Sequence, residues 1–283
     1  MCVAEPALTP CTLAIAGLCV ELIVEDSALD QAIRERYVAF GAMRPAQTRA
    51  CVRAAGRPCL TIEAEVGVGR GRLTLPVPSG RGVIEVAAGR AVFEPHGRPE
   101  VDDLDYFVRV VVALLAFDSG GVLLHAAGVV RRGGAHVFVG RSGSGKTTVA
   151  RLAGDHRVLN DDLLVVLPAV AGWVAHATPF SNPTQVLPVG AIEAPIEGLY
   201  TLTQDHDVYL APLPASQALA ALVANAPVVN ADPYRAPALV ARLSALVGAV
   251  PVGNLHFRPD PSFWDVIDAT SARATTPPSA APA

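Results

Sequence analysis

Residues 140–147 read Gly-Arg-Ser-Gly-Ser-Gly-Lys-Thr, a complete G-x-x-x-x-G-K-[ST] pattern. Glycines let a backbone wrap around a phosphate chain with its N–H groups turned inward, and a helix opening there adds partial positive charge. On this reading Gly140, Arg141, Ser142, Gly143, Ser144, Gly145, Lys146, Thr147 and Thr148 bind ATP. The Lys146 ammonium bridges the β- and γ-phosphates, and the Thr147 hydroxyl ligates Mg2+. At the residue frequencies of this chain a chance match is on the order of one in a thousand. Asn160-Asp161-Asp162 follows 14 to 16 positions beyond Lys146. One carboxylate of such a pair can reach a metal while the other faces a nucleophile, which is what transfer to a hydroxyl requires. The bland alternative is an Asp-Asp turn or cap. His125 stands in Leu-Leu-His-Ala-Ala-Gly, where an apolar run gives one position to an imidazole. In isolation such a histidine reads as a satisfied core residue, so its case depends on its neighbours.

The elements that must position these groups follow from the pattern of apolar residues. Val122 to Arg131 and Ala135 to Val139 form a hairpin about Gly133-Gly134, and its second strand runs into the glycine loop. A short helix from Thr147 to about Gly154 leaves the loop, and Arg157 to Leu167 contains a strongly apolar strand. Upstream, Val101 to Phe117 carries Leu104, Phe107, Val108, Val111, Leu114 and Leu115 at helical spacing, a mostly buried helix ended by Asp118-Ser119-Gly120-Gly121. The first 98 residues are β-rich, with strands expected over Thr12–Val24, Cys59–Val66, Arg72–Pro76, Val83–Val86 and Ala91–Glu94. One early helix there is capped by Ser27 and runs to about Phe40. Downstream, strands are expected near Trp173–Ala177 and Ile196–Leu202, with helices over Ala215–Asn225 and Pro237–Val247. A last strand over Val250–Phe257 precedes a small helix holding Phe263, Trp264 and Ile267. The organisation is thus a β-rich N-terminal region (1–98), a catalytic domain (99–269) and a disordered tail (270–283) rich in Ala, Pro, Ser and Thr.

Composition sets bounds on this reading. The chain has 283 residues, 51% hydrophobic and 17% charged, enough apolar material for a real core and too much for a disordered protein. A net charge of −4 gives no global attraction to nucleic acid. The apolar stretch Pro6–Val20 lacks a preceding basic residue and does not read as a secretory signal, and Val110–Phe117 is too short to span a bilayer. The five cysteines all lie within the first 60 residues without a C-x-x-C pair, which suits reduced thiols in a cytoplasm. Of the 22 basic residues, 21 are Arg and one, Lys146, is Lys.

The stretch from Gly121 to Leu167, with its LHAAG strand, glycine hairpin, GRSGSGKT loop, short helix and NDD strand, resembles the catalytic core of the HPr kinase/phosphorylase family. More narrowly, it is similar to the peptide-modifying kinases related to that family. The resemblance implies a mixed α/β (α+β) fold with a P-loop kinase core of HPr kinase/phosphoenolpyruvate carboxykinase type. It implies an ATP- and Mg2+-dependent kinase acting on serine of a small protein or precursor peptide. By the same resemblance His125 works near the reacting phosphate, Asp161 supplies the base and Asp162 the metal-side carboxylate, with the reverse order open. The family's later E-[IV]-R-G-x-G segment has its nearest counterpart in residues 192–198, which keep acidic groups without the arginine, and Arg258 is a candidate substitute. A homo-oligomer is allowed by the sequence but not required. Two other classes remain open: a small-molecule kinase of the shikimate or gluconate type, and a non-catalytic, nucleotide-dependent regulatory module.

Overall fold

In the computed structural model, residues 9–52, 68–69, 71–97, 100–180 and 190–275 are described. Of the expected elements, the strand over 59–66 lies outside them. The fold is mixed α/β, with two sheets and six α-helices among these residues.

The first sheet holds β1 (Cys11–Ile15), β2 (Leu18–Val24), β3 (Thr48–Val52), β4 (Val68–Gly69), β5 (Arg72–Val77), β6 (Gly80–Glu85) and β7 (Arg90–Pro95), in the order β1-β2-β3-β7-β6-β5-β4. The single strand expected over 12–24 is instead a hairpin. Ala16 (φ 56) and Gly17 (φ 73) both take left-handed backbone, the two-residue turn whose twist matches antiparallel strands. Helix α1 (Ser27–Arg36) is capped by Asp26 rather than Ser27, because the Asp26 carboxylate accepts the Leu29 N–H at 2.9 Å.

Helix α2 (Val101–Asp118) is buried along most of its circumference, since it lies between the two sheets. On one side Phe107 meets Phe93 of β7 with ring centroids 5.5 Å apart. A Cβ on Gly82 of β6 would lie 2.5 Å from the Phe107 ring, so this close approach needs glycine. The Tyr37 hydroxyl donates to Asp105 at 2.6 Å, and burial followed by that carboxylate pushes the phenol well above its usual range. On the other side α2 packs against β8 (Val122–Arg131) and a later strand of the second sheet. One cluster of buried side chains therefore runs from Leu13 to Val250, continuous across the point where the N-terminal region was expected to end.

The second sheet adds β9 (Gly134–Val139), β10 (Arg157–Asn160), β11 (Leu163–Ala169), β12 (Gly172–His176), β13 (Glu193–Gln204), β14 (Tyr209–Pro212) and β15 (Val252–Phe257). Its pairings close on themselves: β8 pairs with β11, β11 with β12, β12 with β13, β13 with β9, and β9 with β8. Strand β13 is longer than the expected 196–202 because its two halves serve different neighbours, β12 first and then β9 and β15. Helix α3 (Lys146–Arg151) follows the glycine loop, and α4 (Ala215–Ala224) and α5 (Ala236–Ala249) pack together. Helix α6 (Phe263–Thr275) continues past Thr270, where an unstructured tail was expected to begin. Its Phe263 and Trp264 join Phe138, Tyr200 and Phe257 in a second aromatic core behind the loop. His136 lies in that core, and burial lowers its pKa to about 4, so the ring is neutral at pH 7.

Among the described residues no helix is long and apolar enough to cross a membrane. Cys11, Cys19 and Cys51 are free thiols, while Cys2 and Cys59 lie outside the described residues.

Candidate active site

Strands β10 and β11 are one line of chain along β8, broken at two residues. Asn160 faces Gly128 and Leu163 faces His125 in the same register, and the break between them is Asp161-Asp162. Asn160 makes the break. It is fully buried, and its Oδ1 accepts the N–H groups of Asp162 (2.7 Å) and Leu163 (3.1 Å). Its Nδ2 donates to the carbonyls of Thr178 (2.9 Å) and Phe180 (2.8 Å). The Thr178 hydroxyl in turn donates to the Leu163 carbonyl at 2.7 Å. A side-chain amide thus satisfies backbone groups at the break, while β8 keeps its hold through Ala126 N–H donating to the Asp162 carbonyl at 2.9 Å. Both carboxylates are buried, Asp161 almost wholly and Asp162 at 8% exposure.

The glycine loop leaves the end of β9 and enters α3. Gly143 (φ 80) and Gly145 (φ 108) take backbone that side chains with a Cβ rarely adopt, and a Cβ on Gly145 would also run into the Phe257 ring. The tip is tied to the sheet by Gln204, whose Nε2 donates to the Gly143 carbonyl at 2.8 Å. Lys146 is buried, and its ammonium donates to the carbonyls of Gly140 (2.7 Å) and Arg141 (3.3 Å), so the charge sits inside the curve of the loop. Burial lowers the Lys146 pKa, with Asp162 and then Asp161 acting in the opposite direction.

His125 is not a core residue. Its side chain is 38% exposed, and Nε2 stands 3.0 Å from Asp162 Oδ1. The His125 N–H donates to the Asn225 carbonyl at 2.7 Å, so the end of α4 holds the free edge of β8. His125, Lys146, Thr147, Asp161 and Asp162 all line one cleft of about 360 Å3, with Ser142, Gly143, Gly145 and Thr148 of the loop. Most of the residues expected from the sequence therefore meet in one place. Gly140, Arg141 and Ser144 are not among that cleft's lining residues, although the Gly140 and Arg141 carbonyls accept from the Lys146 ammonium. Arg258 is not among them either and forms an exposed ion pair with Asp260. Glu193, in the segment nearest the family's acidic motif, binds His176 at 2.9 Å.

A hydroxyl and one or two carboxylates are hard oxygen donors. They suit a small divalent cation that keeps several waters and shares phosphate oxygens, rather than one in an all-protein cage. Among the described residues no group of three or more His, Cys, Asp and Glu side chains forms such a cage. Thr147 and Asp162 would hold an ion of that kind. Sequence reasoning missed Asn160 as the residue that shapes the acidic turn, although it stands beside the pair. It also missed Gln204, 61 residues beyond the Gly143 that it ties down, and Phe257, 112 residues beyond Gly145; neither carries a local signal.

The chain matches no family model and no curated protein.

Proposed function

We propose that the protein is an ATP- and Mg2+-dependent kinase that transfers the γ-phosphate to a hydroxyl, that of a serine in a protein or peptide. This is the chemistry of the HPr kinase-like family that the central segment resembles. The observation that carries the reading is the convergence of a glycine loop, a buried lysine, two buried carboxylates and a histidine on one cleft. An ammonium and inward N–H groups suit a phosphate chain, and paired carboxylates suit a metal and a proton acceptor.

In this reading Lys146 and the loop amides hold the phosphates, and Thr147 and Asp162 would hold Mg2+, whose charge would offset that of the transferred group. Of the two carboxylates Asp162 acts more strongly on the Lys146 ammonium, which suits it to the phosphate and metal side. Asp161 then takes the proton of the acceptor hydroxyl. A bond forms between that oxygen and the γ-phosphorus, the bond to the β,γ-bridging oxygen breaks, and ADP leaves. His125 keeps Asp162 oriented through their 3.0 Å contact.

The test is transfer of labelled γ-phosphate to seryl peptides by the purified protein, compared with Asp161→Asn and Asp162→Asn. Asp161→Asn should abolish transfer while ATP still binds, and Asp162→Asn should raise the Mg2+ concentration needed. Normal turnover by Asp161→Asn refutes the base assignment. ATP consumption with a sugar or acid but with no peptide favours a small-molecule kinase. Nucleotide-dependent partner binding that survives Asp161→Asn favours a regulatory module.

A further inference from the structure

A second cleft, of about 570 Å3, opens onto the same two residues that end the first, His125 and Asp162. Its walls come from three parts of the chain. Strand β5 of the N-terminal sheet gives Leu73 and Leu75, helix α2 gives Tyr106 and Val110, and the turn after α4 gives Pro227 and Val228. Away from the shared end its polar members are Tyr106 and Arg109, and Arg109 is ion-paired with Asp105 at 2.6 Å. Val228 is held at φ 72, ψ −62, a strained setting for a β-branched residue, of the sort that surrounding structure must impose.

We propose that this cleft receives the acceptor, a peptide whose hydroxyl residue adjoins a large apolar side chain, and that the N-terminal sheet is therefore part of the substrate site. The proposal rests on the kinase reading above and deepens it. The volume lies within the range of ligand pockets, and the lining is mostly apolar, with His125 and Asp162 at the end shared with the first cleft, as in sites that orient a ligand by its reactive group. A sugar or a polyhydroxy acid would leave several hydroxyls unpaired against Leu73, Leu75, Val110 and Pro227, which disfavours binding. The nucleotide base is excluded by direction. On the kinase reading the phosphate chain would lie along the loop with its terminal phosphate at the acidic pair, which would leave the base at the far end of that chain. An apolar side chain seated between β5 and α2 leaves its neighbouring hydroxyl at the His125–Asp162 junction, beside Asp161 in the first cleft.

The experiment is an array of peptides with a central serine and every residue type at each flanking position, phosphorylated with labelled ATP and Mg2+. It is followed by kinetics on the preferred peptide. Leu, Phe or Val beside the serine should be preferred over Asp, Lys or Gly by on the order of tenfold or more, the discrimination an apolar pocket gives. Tyr106→Asp and Ala231→Trp alter the cleft mouth at exposed positions, so neither threatens folding. Each should raise the peptide KM by about tenfold or more while the Kd for ATP stays within about twofold. Preference for charged flanking residues, or an unchanged KM in both variants, would overturn the proposal. A raised Kd for ATP in either variant would also overturn it, by assigning the cleft to the base. If ATP binds but no peptide is labelled, the kinase reading itself fails, and the proposal falls with it.

Discussion

Replacing Asn160 by alanine tests whether one buried amide builds the acidic turn. The side chain makes four well-formed bonds, to the N–H groups of Asp162 and Leu163 and to the carbonyls of Thr178 and Phe180, all at 2.7 to 3.1 Å. A buried hydrogen bond contributes about 1 kcal/mol net, so the loss should reach roughly 4 kcal/mol. That is a large share of the roughly 5–15 kcal/mol by which folded domains are stable. Urea unfolding followed by tryptophan fluorescence measures it. The same change frees Asp161 and Asp162 to shift, and a displacement near 1 Å is worth about 100-fold in rate. Labelled phosphate transfer should therefore fall by about that factor, under conditions where the variant is still folded. Asn160→Asp sharpens the argument because it keeps the shape and the accepting oxygen but replaces the donating nitrogen by a second oxygen that faces two carbonyls. A carboxyl there is favoured protonated, so its folded pKa is raised above the unfolded value. The variant should then be most stable below the unfolded carboxyl range and lose stability as pH rises through the folded pKa. If Asn160→Ala costs less than about 1 kcal/mol and transfers phosphate at the normal rate, the reasoning about this turn is wrong.

Two further outcomes follow from single buried groups. Lys146 is the only lysine of the chain, and its lowered pKa raises its free-amine fraction above that of an ordinary lysine. An amine-reactive ATP analogue should label Lys146 and, apart from the α-amino group, nothing else, with protection by ATP read by peptide mass spectrometry. Labelling indifferent to ATP would count against the nucleotide site. His136 has a folded pKa lowered to about 4 by burial. Its neutral form contributes stability that is fully present above the unfolded value near 6.5 and is lost as pH falls through about 4. The loss approaches roughly 3 kcal/mol. His136→Phe should flatten the fall in unfolding free energy between pH 6.5 and 4, and an unchanged slope in urea titrations would refute this.

The glycine loop, its lysine and the acidic pair were legible because short-range geometry dictates their residue types. A backbone that must turn through positive φ takes glycine at 143 and 145, whatever the rest of the chain does. Helix α2 was equally legible from its apolar spacing, and so were both strands of the hairpin β8–β9. Two of the misreadings are breaks inside a stretch that reads as one strand. The hairpin within residues 12–24 turns on Ala16-Gly17, whereas 157–167 breaks after Asn160 with the register along β8 kept from Asn160 to Leu163.

By itself the sequence determined which side chains could do chemistry and the local backbone that carries them. Only the tertiary structure decided that His125 is exposed and bonded to Asp162, because that contact is made by pairing β8 with β11 across 38 residues. Only the tertiary structure, likewise, brought Leu73 and Leu75 of the first sheet into one cleft with His125 and Asp162. The physical reason is that spacing along a chain encodes the period of an element. Which elements meet is set by the burial of their apolar faces, here by α2 filling the space between two sheets.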